Sequence, residues 1–371
     1  MQNSAISNQK NKNRNTNIDF IRIIGMFAII ITHLINHGKP FIKFHKYKSE
    51  IILLNIFCMW HVSSFGIISG LVGSKTPKFY NLLYLWITVL FYTLLFYITF
   101  KKKTTNIFVN SFEKIFYPVI QNKYWYFSSY FGIYPFLSSI NIGISSLTRI
   151  NSQKCIYFMI GIFFIWNSYY NFDSFSLNKG YSPFSLLIFY TLGVYIEKYI
   201  FYIQIKKIYR IIISISCFII FILISLSCFY INIKNSFPKL SERKKNFFRV
   251  GIISFPMIVQ VFTLIIFIAQ IKFNKVLSRI ISIFAPLTFD IYLIHENPFI
   301  RNNYVKNSFK FLPNNLNLSY IHALIIKKGI VIFFFCFFIS YIRNIIFRTL
   351  KIKELCIHFE NIITIIFNYF I

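Results

Sequence analysis

Residues 18–38, IDFIRIIGMFAIIITHLINHG, form a stretch long and apolar enough to cross a bilayer as one helix. Asp19, Arg22 and His33 nevertheless lie inside it. An Arg or Asp near the middle of a membrane costs roughly 2.5–3.5 kcal/mol on insertion-based scales, and a helix that serves only as an anchor gains nothing from that cost. The pattern predicts a membrane helix whose polar side faces the protein interior.

The polar side chains of this helix are spaced to share one face. Arg22 and His33 are eleven residues apart, which is three turns plus roughly 20°. Asp19 and Arg22 are three apart and can form an ion pair. His33 is suited to accept or release a proton near neutral pH. The alternatives are that the two charged residues reach the headgroups and that His33 is a packing residue.

The composition of the whole chain indicates a polytopic membrane protein. Of its 371 residues, 56% are hydrophobic and only 13% are charged. Because only helices or closed barrels span lipid, and the apolar runs lack the alternation of a barrel, we predict an all-α transmembrane helical bundle of about ten spans. The predicted spans are 18–38, 50–72, 79–100, 123–146, 154–170, 182–198, 208–233, 248–271, 279–300 and 320–348.

The domain organisation follows from these spans. We expect a disordered, cytoplasmic tail over residues 1–17, one membrane domain over 18–350, and a C-terminal tail over 351–371 suited to a helix on the membrane surface. Lys and Arg are divided almost equally between the two sets of loops, so charge bias alone does not decide the orientation. Because long loops are less informative, we place both termini in the cytoplasm of a multi-pass cell-membrane protein.

The formal net charge of +30 raises the question of a nucleic-acid partner. The basic residues are spread over nearly every loop and do not form one face or arm, so we expect a lipid bilayer and no nucleic acid as partner. The six cysteines form no CxxC pair, and nearly all lie in apolar runs. Neither a metal site nor a disulfide framework is therefore predicted.

His61 is a second histidine inside a predicted span. It is followed by Ser69 and Gly70, which are small enough for close approach of another helix. A hydrogen bond to a neighbouring carbonyl is the plainer interpretation of His61. Two spans that each carry a histidine within the membrane favour a shared polar cavity.

Two further polar groups lie near the ends of predicted spans. Trp125 belongs to an aromatic cluster, and Tyr292, His295 and Glu296 lie near the end of the ninth span. Tyr292 and His295 are three residues apart and share a face, while Glu296 adjoins His295. The plainer interpretation is an interfacial aromatic belt and a polar helix end.

Together these stretches resemble acyltransferase family 3, the integral-membrane O-acyltransferases that modify polysaccharides and other surface glycans. The Arg22-x10-His33 spacing looks like the signature of that family on its first helix. Four similar blocks follow in the family's order: HVSSFGIISG (61–70), YWYFSSYFGIYPFL (124–137), GYSPFSLLIFYTLGVYI (180–196) and TFDIYLIHENPFIR (288–301). The chain departs from the family at Asp290, where Gly is usual, and in a basic run reduced to Lys75 and Lys78.

The resemblance implies transfer of acetyl from acetyl-CoA, a co-substrate rather than a bound cofactor, to a hydroxyl of a cell-surface or capsular polysaccharide. It makes His33 the expected base or acyl acceptor. Arg22, roughly 16 Å along the helix, is expected to hold a CoA phosphate or Asp19. His61 is the third catalytic candidate. The candidates for substrate binding or support are Asp19, Trp125, Tyr292, His295 and Glu296, and no metal is expected.

Two other function classes remain open on the sequence. A polysaccharide polymerase or glycosyltransferase is expected to carry a large extramembrane loop with acidic or Arg residues, and none is evident. A glycan transporter is expected to show an internal repeat with broken helices, and none is found.

Overall fold

The computed structural model describes residues 15–73, 77–100, 118–119, 124–170, 173, 175–200, 206–233, 248, 251–313 and 316–370. Regular structure in these residues is helical, with no strand among them, so the all-α prediction is confirmed. The first helix begins at Thr16, two residues before the predicted boundary. The rest of the predicted disordered tail lies outside the described residues.

The described helices follow one another along the chain. Those of the first half are α1 (Thr16–Gly38), α2 (Pro40–Lys43), α3 (Lys48–Cys58), α4 (His61–Gly73), α5 (Phe79–Phe100), α6 (Trp125–Ile133), α7 (Leu137–Ser146), α8 (Arg149–Ile160) and α9 (Asn167–Tyr170). Those of the second half are α10 (Pro183–Tyr199), α11 (Lys207–Ile233), α12 (Phe255–Ala269), α13 (Lys275–Phe284), α14 (Thr288–His295), α15 (Pro298–Ile300), α16 (Leu318–Thr349) and α17 (Ile352–Phe370). Short 3-10 turns lie at His45–Tyr47, Tyr134–Phe136, Asn178–Gly180 and Ala285–Leu287, and π-helical turns at Gly161–Trp166 and Arg301–Val305.

Six helical segments of the described chain are long and apolar enough to cross a membrane. They are Thr16–Gly38, His45–Gly73, Phe79–Phe100, Ile208–Asn232, Lys275–His295 and Leu318–Thr349. These correspond to the predicted first, second, third, seventh, ninth and tenth spans. The predicted total of about ten spans is not confirmed.

The other four predicted spans are interrupted or short. Residues 123–146 change to a 3-10 turn around Pro135, whose ring removes a backbone donor. Residues 154–170 widen into the π-helical turn Gly161–Trp166. α10 and α12 have 17 and 15 residues, so both are shorter than each of the six candidate spans.

Helix α1 is the most deeply buried of the six candidate spans. Of the 18 most apolar consecutive residues of α1, 67% are buried, whereas the corresponding value for the span Ile208–Asn232 is 17%. The side chain of Asn15 caps the helix, and the Asn17 amide donates to the carbonyl oxygens of Ile268 and Ile271 at 2.6 and 2.8 Å. Because the last carbonyls of a helix have no partner within it, these bonds tie the start of α1 to the end of α12.

Helices α4 and α10 cross at glycines with their backbones in contact. A Cβ atom on Gly70 would overlap the carbonyl oxygen of Tyr190, and one on Gly193 would overlap that of Ile67. Only residues without a side chain allow two helices to approach this closely. The close approach predicted at Gly70 is therefore confirmed, and it fixes the position of α4, on which His61 lies.

A buried ion pair joins α14 to α16. Arg343 Nη2 donates to Asp290 Oδ2, and Arg343 Nη1 donates to the Tyr84 hydroxyl of α5 at 3.0 Å. The Arg343 side chain is 5% exposed and that of Asp290 1%. Asp290 lies at a position where the resembling family usually has Gly. This chain therefore has a buried charge at that position, and Arg343 neutralises it.

The C-terminal helix α17 packs against α5, so the tail predicted at 351–371 forms a helix. Apolar side chains such as Phe359, Ile362 and Phe367 remain exposed on it. Its location on the membrane surface stays a prediction.

We expect Arg343→Met to destabilise the protein by about 3–5 kcal/mol, because it leaves the Asp290 carboxylate buried without a counter-charge. The double variant Asp290→Leu/Arg343→Met removes both charges and is expected to recover most of that loss. Thermal unfolding of the solubilised protein measures both variants. Arg348→Met, at an exposed position of the same helix, is the control. Equal losses in the single and double variants would contradict the role of the pair.

Candidate active site

A cavity of about 790 Å³ lies inside the bundle. Helix α1 lines it with one stripe of residues, namely Arg22, Met26, Ile29, Thr32, His33, Asn36 and His37. From Arg22 to His37 the helix rises about 22 Å, compared with roughly 30 Å for the hydrocarbon core of a bilayer. The polar face predicted from the spacing of Arg22 and His33 is thus the wall of a long cavity.

Other helices complete the wall of the cavity. Helix α4 contributes His61 and Ser69, and helix α6 contributes Trp125 and Tyr126. Tyr292 of α14 closes another side and is 7% exposed. The Ser69 and Tyr126 hydroxyls are 3.1 Å apart, so a hydrogen bond links α4 to α6 within the cavity wall.

The Arg22 end of the cavity is cationic. Arg22 Nη1 donates to Asp19 Oδ1 at 3.2 Å, which confirms the predicted ion pair. The Asp19 side chain is 3% exposed, whereas that of Arg22 is 26% exposed and lines the cavity. Lys78 lines the cavity as well, while Lys75 lies outside the described residues. Asp19 thus orients a guanidinium that remains accessible.

The His33 end of the cavity contains a cluster of titratable side chains. His33 Nδ1 lies 2.7 Å from Glu296 Oε1 and 3.2 Å from His295 Nε2. Arg301 Nη1 donates to the other oxygen of Glu296 at 3.3 Å. Glu296 and His295 do not line the cavity themselves, but they hold the ring of His33, which does.

The partners of the two rings indicate where their hydrogens lie. His295 Nδ1 lies 2.7 Å from the carbonyl oxygen of Ile291, which can only accept, so this nitrogen carries a hydrogen. Nε2 of a neutral His295 is then an acceptor. His33 Nδ1 faces that acceptor and the Glu296 carboxylate, so it is a donor. Nε2 of a neutral His33 therefore carries the free electron pair, as a general base requires.

Glu296 remains ionised beside His33. One of its oxygens lies 2.7 Å from His33 Nδ1 and the other 3.3 Å from Arg301 Nη1, and both partners favour the charged form of the carboxyl. A carboxylate fixed in this way orients an imidazole and stabilises the imidazolium that forms when the ring takes a proton.

His33, His295 and Glu296 can also offer one ligand atom each to a metal ion. The three atoms lie within 4.8 Å of one another, and the residue types are those that bind zinc. The expectation of no metal stays a prediction. Each short distance between these groups is accounted for by a hydrogen bond or an ion pair.

Residues 15–349 match the family model of acyltransferase family 3, described as an acyltransferase domain. The chain belongs to acyltransferase family 3. No curated protein and no solved structure gives a significant match. With its six candidate membrane helices, the protein is a multi-pass membrane acyltransferase.

All eight candidate site residues of this family 3 acyltransferase lie at the cavity or contact a residue that does. Those that line it are Arg22, His33, His61, Trp125 and Tyr292. Asp19 reaches the site through Arg22, and His295 and Glu296 reach it through His33. Their proximity is observed, whereas their roles stay predictions.

Sequence analysis missed several contacts of this acyltransferase. Glu296 was paired with its neighbour His295, but its carboxylate contacts His33 on another helix. Tyr181, whose ring lies 4.8 Å from that of Trp125, was not proposed. Arg343 is not among the predicted site residues, although an Arg inside an apolar run gives the same signal that identifies Arg22.

We expect Glu296→Gln to lower the rate of acyl transfer about 10²–10⁴-fold, because an amide can present either its oxygen or its NH2 group to His33 and so does not impose one tautomer, and because it carries no charge to stabilise the protonated ring. The measurement is the turnover of purified protein in lipid nanodiscs. Glu354→Gln, at a side chain that is 71% exposed on α17, is the matched control. A Glu296→Gln variant with wild-type turnover would rule out this role.

Proposed function

We propose that this protein transfers acetyl from acetyl-CoA to a hydroxyl of a cell-surface polysaccharide. The observation that carries the proposal is His33, whose Nδ1 is held by Glu296 while its ring lines the same cavity as Arg22. An oriented base and an accessible cation about 16 Å apart on one helix suit a reaction between a hydroxyl and a long phosphorylated donor. Family membership supports acyl transfer over the polymerase and transporter alternatives.

His33 is the proposed general base. Its Nε2 takes the proton of the acceptor hydroxyl as the oxygen attacks the thioester carbon, and Glu296 stabilises the resulting imidazolium. The same ring can return the proton to the departing thiolate of CoA. His295 Nε2 accepts from His33 Nδ1 when both rings are neutral, and this contact helps to keep the His33 ring in its orientation.

Arg22 is the proposed ligand of the CoA phosphates. A guanidinium forms paired hydrogen bonds with phosphate, and Asp19 holds this one in place from a buried position. Lys78 adds a second positive charge at the wall of the cavity. With the donor's phosphates at this end, its extended arm leads along α1 toward His33.

The other end of the cavity suits a sugar. Trp125 and Tyr181 line it with rings 4.8 Å apart in a T-shaped arrangement, and Asn36 and His37 add polar groups. Apolar rings with a few convergent polar groups are typical of small-molecule sites. With both termini in the cytoplasm, the Arg22 end faces cytosolic acetyl-CoA, and the Trp125 end lies toward the outer surface where the polysaccharide is found.

We expect cells that lack this protein, and cells that carry His33→Ala, to lose the same O-acetyl signals from their surface polysaccharide. Solution NMR of the purified polysaccharide is the measurement, and the shifted ring proton identifies the acceptor hydroxyl. His358→Ala, at an exposed position of α17, is the matched control. An unchanged acetyl content together with a change in polysaccharide length or amount would instead support the polymerase or transporter alternative.

We expect Arg22→Gln to raise the KM for acetyl-CoA about tenfold or more, because a charge-assisted hydrogen bond contributes roughly 1.5–3 kcal/mol. The KM for a short acetyl thioester without phosphates is expected to stay the same. Steady-state kinetics with both donors makes the comparison, with Arg348→Gln as control. A parallel change for both donors would show that Arg22 does not bind phosphate.

A further inference from the structure

We propose that His61 is a catalytic residue of the acyl-transfer step, whose ring N–H donates to the carbonyl oxygen of the acyl group when the thioester is attacked. The inference rests on the proposed acyl-transfer function and deepens it. It assigns the group that stabilises the oxyanion, a role that neither Arg22 nor His33 fills.

His61 is buried without a hydrogen-bond partner. The residue is 4% exposed, and neither Nδ1 nor Nε2 has a partner among the described residues. Nine in ten or more buried polar groups are hydrogen-bonded in proteins, and each unsatisfied one costs about 1–3 kcal/mol. Because His61 lines the cavity, a polar atom of the substrate is the partner that its N–H can reach.

His61 lies beside the part of α1 that connects the Arg22 end of the cavity to the His33 end. It is the first residue of α4. A Cβ atom added to Gly25 of α1 would lie 3.2 to 3.5 Å from side-chain atoms of Trp60, Ser64 and Phe65, so α1 and the start of α4 are in contact there. Gly25 lies between Arg22 and His33 along α1. A donor that reaches from Arg22 to His33 passes this stretch of α1, against which α4 packs.

His61 is held in place and lies near the base. The Ser64 hydroxyl donates to the His61 carbonyl oxygen at 2.6 Å, which fixes the first turn of α4. His61 and His33 line the same cavity. Thr32 Oγ1, also buried and unpaired among the described residues, lines the same cavity and adds a second donor.

Arg22 and Arg301 are poorly placed for this role. Arg22 is ion-paired with Asp19 and lies roughly 16 Å along the helix from His33. Arg301 is paired with Glu296 and does not line the cavity. A neutral donor that is already desolvated suits an oxyanion hole, since it needs little rearrangement as charge develops.

The step balances with these groups. The acceptor oxygen forms a bond to the carbonyl carbon as its proton passes to His33 Nε2, and the π electron pair moves to the carbonyl oxygen, which accepts from His61. When the pair returns, the carbon–sulfur bond breaks and the thiolate of CoA takes the proton from His33. The products are the acetyl ester and free CoA, and both histidines return to their starting states.

The test compares three variants in nanodiscs, with acetyl-CoA as donor and polysaccharide from cells lacking the protein as acceptor. We expect His61→Ala to lower kcat about 10²–10³-fold with the KM for acetyl-CoA nearly unchanged. His61→Gln, whose amide keeps an N–H, is expected to retain at least about tenfold more activity than His61→Ala and to keep the wild-type shape of the pH profile, because His33 remains the base. His322→Gln is the control, since His322 Nε2 is also buried and unpaired among the described residues but does not line the cavity.

Several results would overturn the inference. The first is a kcat of His61→Ala close to that of the wild type, and the second is a His61→Gln activity no higher than that of His61→Ala. The third is the loss of one limb of the pH–rate profile in His61→Gln, which would make His61 the base. If His61→Ala does not fold, His61→Met, similar in volume and without a donor, replaces it. Failure of the proposed function is distinct, because the wild-type protein itself would then transfer no acetyl.

Discussion

A charge within a membrane helix needs a partner inside the protein, and this constraint organises the bundle. Asp19 holds Arg22, and Glu296 holds His33, so each end of the polar stripe on α1 is paired with a carboxylate. One carboxylate comes from α1 itself and the other follows α14. The stripe can therefore face a cavity instead of lipid, and the bundle closes around it.

The cavity depends on helices that stop short or approach closely. Glycine contacts bring α4 against α10, and the helical segments at 124–146 and 149–170 are interrupted, so they do not extend as straight spans along α1. A bundle of uniform long helices with large side chains would pack its interior with apolar groups. Here the interior keeps a volume of about 790 Å³ with His61 in its wall.

Much of this arrangement follows from the sequence, but not all of it. The helical class, the first helix and the Asp19–Arg22 pair depend on spacing within a single helix, which sequence periodicity gives directly. The contacts Glu296–His33 and Asp290–Arg343 join helices far apart in the chain, and no local pattern specifies which distant partner a charge selects. The number of spans does not follow from the sequence for another reason, since hydropathy does not separate a lipid-facing helix from a buried shorter one.

The Asp290–Arg343 pair has a consequence for how the chain enters the membrane during synthesis. Its two members are 53 residues apart, so a ribosome adding 5–20 residues per second makes Arg343 roughly 3–10 s after Asp290. Throughout that interval the carboxylate has no counter-charge. Insertion of α14 alone would carry the cost of an unpaired Asp in the lipid, and that cost falls when α16 arrives with Arg343.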